Sequence, residues 1–462
     1  MFAVFIDQVS PRIYYVLEEL FARRLHCELK IYTDQATYKA DSSPFKIQYV
    51  TEEIKGLAGF VIIRDHFMLE EQVDLYFTPT VGQFFLSPRA QDTLNNKLLD
   101  FHNLKTESNR INQWVQKPCP CIFTNISPLG FDVFAMAFYF LSRYEEFQPF
   151  ESDIHGRFGF KNAIEAQWET PAVPHVDRAF FHFLSAIHAE HLITQAKVVA
   201  TFDIDIAFQF KGRTLKRQIF SMLRFPQLLF KRMAVLLGAE DAFDPSTTVV
   251  RLVKSKNVAH RIFWLCSSRV KGVNRQVNQN YAPFRNLLQT ISKEHPIGVH
   301  PSFSLNPKET WHEEKQWLET VTQQSIEHSR QHFVHLLFPD TYHKLQKMDI
   351  KHDWSMGYAD SIGFRAGTAY DYHWFDLSRN TATDLVIHPF CIMDVTAKYY
   401  LTLSPTEAID IGQTLKEMVF LFGGNFTFIA HNESLSQEMG WKDWLPVFEN
   451  WANPYESTDS SD

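Results

Sequence analysis

From Lys197 onward, short apolar runs alternate with helical patterns. The runs are VVATFD, RIFWLCSS, PIGVHPSF, HFVHLLF, IKHDWSM, DLVIHPF and FTFIAHN, and stretches such as AIDIGQTLKEMVFLF lie between them. Runs this apolar need both faces covered, which alternating strand–helix units provide through parallel strands and crossover helices. The expected class is therefore α/β, either a barrel or an open sheet. In such folds, polar groups at the carboxyl ends of strands gather on one face. Asp203, Asp205, His300, Arg330, His332, Asp353, Asp360, Asp394 and His431 all sit at or just after the ends of those runs.

A chain of 462 residues is too long for one ordinary core. The expectation is an N-terminal α/β domain over 1–195 and a second domain over 196–455, with a disordered tail at 456–462. In the first part, Pro11 to Arg24 has helical spacing, and LKIYT and FKIQYV read as strands. Phe131 to Glu146 is apolar on most faces and reads as a buried helix. PHVDRAF opens another helix, expected to end near Gln195. The 42 phenylalanines suit an aromatic core.

The net charge of −8 argues against general nucleic-acid binding. Five scattered cysteines give no disulfide framework and suit a reducing compartment. The opening residues lack the pattern of a signal peptide, and no run is long enough to span a membrane, so the expected location is the cytoplasm. Lys211 to Gly238 carries seven basic and no acidic residues among many large apolar ones. This insertion, at about 211–240, reads as basic amphipathic helix, either on a membrane surface or as a solvated excursion of the fold.

The ordered series Thr201-Phe202-Asp203-Ile204-Asp205, His295-Pro-Ile-Gly-Val-His300, Arg330-Gln-His332-Phe333 and a late strand ending in His431 resembles the NodB-type polysaccharide deacetylases. The resemblance covers about 197–440. It implies a distorted (β/α) barrel in the C-terminal half and a metal-dependent hydrolase that removes acyl groups from carbohydrate. By that likeness Asp203 is the catalytic base, Arg330 keeps it ionised and aimed, and His431 protonates the leaving group. The likeness implies Asp205 and His300 as ligands of a divalent metal; His332, standing in for a second histidine that the chain lacks, would complete the set, with loss of the metal as the alternative. Zinc is expected first, with cobalt, nickel or manganese as substitutes.

The series departs from the family at three places. Ser304 stands where a second metal histidine is usual, Ile204 displaces the second acid to Asp205, and His332 stands where proline is usual. Ser302, Asp360, Arg365 and Asp394 are expected to bind substrate or support the site, with Arg365 in GFRAG suited to gripping an anion or a sugar hydroxyl. The expected substrate is a carbohydrate, anionic or lipid-linked, with peripheral contact to a membrane. Two alternatives remain open: a barrel that has lost catalysis and binds saccharide or a protein, and another hydrolase such as a phosphoesterase.

Overall fold

The computed structural model describes residues 1–102, 118–168, 170–213, 219, 222–268, 273–274, 276–303 and 310–454. The protein is mixed α/β with several sheets. Ser304, the 456–462 tail and part of the basic insertion lie outside the described residues.

The first sheet has the order β2-β1-β3-β4, from β1 (Phe2–Ile6), β2 (Leu29–Tyr32), β3 (Phe45–Val50) and β4 (Phe60–Ile63), all parallel. A separate antiparallel pair joins β5 (Val81–Phe84) to β6 (Cys119–Ile122). The helix expected from Pro11 runs as α-helix to Leu17 and widens to π-helix over Glu18–Arg23. The apolar stretch from Phe131 gives an α-helix at Val133–Leu141 with all nine residues buried. Asp132 caps it, accepting from the backbone of Phe134 and Ala135 and also from Tyr49 Oη. Such a cap contributes about 1 kcal/mol. The helix at PHVDRAF stops at Ala186, well short of Gln195.

The second sheet has nine strands: β7 (Lys197–Ile204), β8 (Ala259–Trp264), β9 (Ile297–Val299), β10 (His328–Ser329), β11 (His352–Asp353), β12 (Tyr372–Asp376), β13 (Thr381–Ile387), β14 (Ile392–Met393) and β15 (Asn425–His431). Their order is β12-β13-β11-β10-β9-β8-β7-β15-β14. Every pairing is parallel except β12 with β13. In β7 the two-residue period sends Val198, Ala200, Phe202 and Ile204 into the main apolar core. Thr201 and Asp203 therefore point to the opposite face, where the polar groups collect.

One expected strand is absent. HFVHLLF does not extend; its first three residues form a 3-10 turn at His332–Val334, with Phe333 at φ 63 and Val334 at φ 54. The strand in that place is the two-residue β10, just before it. The positive φ at Phe333 and Val334 breaks the extended backbone at that point.

Buried charges join the N-terminal part to the second sheet. Arg143 pairs with Glu145 and Glu146, each at 2.7 Å. Glu146 also pairs with Arg365 at 2.5 Å. Arg24 pairs with Asp177 at 3.0 Å, and Asp177 accepts from Thr368 Oγ1 at 2.6 Å.

Candidate metal centre

The site grows from the carboxyl ends of β7, β9, β10, β14 and β15. Asp203 is the next-to-last residue of β7 and Asp205 is one residue beyond the strand. His300 follows β9, Arg330 and His332 follow β10, Asp394 follows β14, and His431 ends β15 directly opposite Asp203. Asp203, Asp205, His300, His332 and His431 line one cleft of about 160 Å³, together with Arg157, Gln331, Phe333, Met393 and Tyr400.

Ligand atoms of Asp205, His300 and His332 lie within 4.8 Å of one another. His300 Nε2 is 3.3 Å from Asp205 Oδ1, and His332 Nε2 is 3.3 Å from Asp205 Oδ2. The remote nitrogens of both rings are already committed. His300 donates from Nδ1 to the Arg330 carbonyl at 2.7 Å. His332 donates from Nδ1 to Asn274 Oδ1 at 3.0 Å, and that amide is fixed because its Oδ1 also accepts from Phe303 N. When neutral, each ring therefore turns an Nε2 lone pair toward the Asp205 carboxylate. Lone pairs facing a carboxylate repel unless a cation, metal or proton, stands between them. Among the described residues, Asp205 Oδ1 and His300 Nε2 are buried without a hydrogen-bond partner. The two rings are tilted by 54°, so both can aim at one point. A divalent metal fits this donor set: one carboxylate, two imidazoles and open space on the cleft side.

The electrostatics agree with that geometry. Burial alone would raise the Asp205 carboxyl, but His332, His300 and His431 hold it well below the usual range. Burial would lower His300, yet Asp203 and Asp205 raise it. Burial wins at His332, which is lowered despite Asp205.

Two pairs flank the triad. Arg330 Nη1 stands 3.5 Å from Asp203 Oδ1, while its Nη2 donates to Thr201 Oγ1 at 2.8 Å. Asp394 accepts from His431 Nδ1 at 2.8 Å and from His431 N at 2.7 Å. Burial would lower His431, but Asp394, with Asp205 and Asp203, lifts it to about 10.

Residues 2–191 match a family model described as Family of unknown function (DUF7033). No curated protein matches the chain. Among solved structures, a protein of Mycobacterium smegmatis provisionally named a polysaccharide deacetylase is similar at a TM-score of 0.35 and 14% identity, over 55% of this chain and 82% of that one. A likeness of that depth carries no argument, so the functional reading rests on the side chains.

Three expected substrate contacts are engaged elsewhere. Arg365 is 1% exposed, with its fork on Glu146 and Nη1 on the Gly357 carbonyl, so it has no reach to the cleft. Ser302 gives its Oγ and N–H to Glu314, at 2.6 and 2.9 Å. Asp360 accepts from Phe160 N and anchors the loop that carries Arg157. Asp394 does sit behind the site, on His431.

Sequence reasoning passed over two supports. Asn274 lies in a polar loop with no periodicity, so only folding reveals that it fixes His332. Arg157, in the HGRF stretch, donates to the Phe333 carbonyl at 2.8 Å and to Tyr400 Oη at 2.9 Å, bracing the strained turn beside His332.

A second group, His328, His352 and His388, also has ligand atoms within 4.8 Å. His328 and His352 are stacked at 4.2 Å with planes 9° apart, and no point lies near both ring planes. His328 Nδ1 accepts from Trp354 Nε1 at 3.1 Å. That packing is a stack around Trp354 rather than a converging ligand set.

Proposed function

We propose that the protein is a metal-dependent hydrolase that removes an acyl group from a carbohydrate, as NodB-type deacetylases do. The observation that carries this reading is the buried carboxylate of Asp205 faced by the Nε2 atoms of His300 and His332, with Asp203 and His431 on the same cleft. We read residues 196–455 as a distorted (β/α) barrel and 1–195 as a domain packed on it. The five cysteines form no disulfide among the described residues, which suits the cytoplasm as its location.

Asp205, His300 and His332 would hold the metal, zinc in the first instance. A divalent cation there supplies charge that polarises an acyl carbonyl and acidifies water. Asp203 accepts the proton of the attacking water. Arg330 steadies that carboxylate from the side away from the cleft. His431, charged and held by Asp394, gives a proton to the departing nitrogen or oxygen from Nε2, the atom left facing the cleft. His332 takes the place that Ser304 vacates in the family pattern.

Metal analysis of protein purified without chelator, beside Asp205→Ala and His300→Ala, tests the reading. About one metal per chain, lost in both variants, with acetate released from N- or O-acetylated saccharides, is expected. A wild type that takes up no zinc, cobalt or nickel overturns it and leaves a saccharide- or protein-binding chain.

A further inference from the structure

The basic insertion presents its apolar side outward. In the helix Leu229–Leu236 only Arg232 and Val235 are buried. Leu229, Phe230, Met233, Leu236 and the following Leu237 are exposed, Phe230 at 86% and Leu237 at 83%. Their spacing puts them on one stripe of the helix. Leu223, at 79%, and Phe225 extend the exposed apolar surface toward the chain's entry to the helix. An ordinary surface helix does the reverse, burying its leucines and exposing its arginine. Arg232 is held inside with its guanidinium 5.1 Å from the Phe210 ring centroid.

The charge of the insertion's sequence runs against that of the chain. Residues 211–238 hold seven Lys and Arg and no Asp or Glu, in a protein of net charge −8. Arg224 is exposed beside the stripe, while Lys231 lies on the other side of the helix and meets Glu438 at 2.5 Å.

The surface is fixed at the cleft end of the second sheet. Asp241 accepts from the backbone of Gln209 at 2.5 Å and Phe210 at 2.8 Å, closing the base of the insertion. Asn432, next to His431, donates to the carbonyls of Ile206 and Phe243 and ties that base to the end of β15.

We infer that this stripe is a docking surface for an anionic lipid bilayer. A protein partner would need a face both apolar and acidic, matched in shape to an eight-residue helix. An anionic bilayer offers both features without shape matching: acyl chains take the stripe, and headgroup phosphates take the exposed Arg224 beside it, in an insertion whose sequence is net basic. The helix lies in the plane of the interface, and the cleft is held at the same end of the molecule. Resting on the reaction proposed above, the substrate class that meets the cleft there is a lipid-anchored saccharide.

The test uses the full chain and sedimentation with vesicles of phosphatidylcholine alone or mixed with phosphatidylglycerol. Binding to the mixed vesicles is expected to exceed binding to the neutral ones by about tenfold or more and to fall with added salt. The Phe230→Ser and Leu237→Ser double variant is expected to lose that binding with its melting temperature unchanged, since both side chains are exposed. Its metal content is also expected to stay unchanged, so failure here is distinguishable from failure of the hydrolase reading. Equal or absent binding to the two vesicle types overturns the inference. So does a double variant that binds like the parent, or a parent dimer that the variant dissociates, which would assign the stripe to a second copy.

Discussion

His431 donates from Nδ1 to Asp394 Oδ1 over 2.8 Å, and the same carboxylate takes the His431 backbone N–H over 2.7 Å. One acid thus fixes the ring's orientation, its tautomer and its charge. The pair sits where a proton donor is needed, with Nε2 turned to the cleft.

That pairing makes the metal-free protein sensitive to pH. The His431 value rises from 6.5 to about 10 on folding. Its contribution to stability is therefore complete below pH 6.5 and is lost as pH climbs to about 10. Across that window stability falls by up to about 1.4 kcal/mol per pH unit. Asp394 is lowered from its ordinary 3.8, since His431 and its hydrogen bonds outweigh burial, so its share is lost only in acid. Chemical denaturation in chelator from pH 6 to 10 measures the slope. Asp394→Asn is expected to flatten it, and an unchanged slope would contradict the assignment.

Asp203 and the triad separate chemistry from metal binding. Asp203→Asn is expected to retain metal and lose about 10²- to 10⁴-fold in acetate release, the range for removing a general base. Loss of metal in that variant would instead place Asp203 among the ligands.

Asn274 acts on the metal through His332. Removing a partner of a ligating histidine costs about 10- to 100-fold in affinity. Asn274→Ala is expected to show that drop in a competition titration with a chromophoric chelator, whereas Asn274→Asp keeps an acceptor for Nδ1 and most of the affinity.

The Arg365–Glu146 pair should matter for folding and not for the cleft. Arg365→Ala leaves Glu146 buried with only Arg143, at a cost of about 3–5 kcal/mol. Urea denaturation reads that loss. Saccharide affinity of the folded fraction is expected to be unchanged, which a substrate-gripping arginine would not allow.

Gly363 is a backbone contact between the two parts of the chain. It sits at φ +108, and a Cβ there would lie 1.7 Å from the Pro171 carbonyl oxygen. Gly363→Ala is expected to destabilise by more than about 2 kcal/mol in thermal or urea unfolding. A neutral result would mean that the 171 and 363 segments move apart easily.

Several elements were legible because their signals are local. The two-residue alternation of VVATFDI places Phe202 in the core and Asp203 on the other face whatever the rest of the chain does. The FTFIAH run makes β15 for the same reason, and parallel pairing then puts His431 opposite Asp203. The order of acids and histidines at strand ends was therefore readable, whereas the grouping of Asp205, His300 and His332 as candidate ligands came from the likeness of the motif series to a known family.

Other features depend on which distant segment supplies a partner, and no local pattern encodes that. HFVHLLF has the composition of a strand, yet it turns at His332–Val334, where Phe333 and Val334 take positive φ and Arg157, far away in sequence, holds the Phe333 carbonyl. Arg365, between glycines, has the local context of an anion grip, but Glu146, far away in sequence, reaches its guanidinium first. Asn274 and Arg157 gained roles only when the chain brought them against His332 and the turn beside it. By itself the sequence determined the strand segments and the chemistry at their ends, because side-chain alternation is a property of a few neighbouring residues. The tertiary structure decided which of those polar groups keep a free face toward the cleft, because each buried donor and acceptor must be satisfied by whatever folding places beside it.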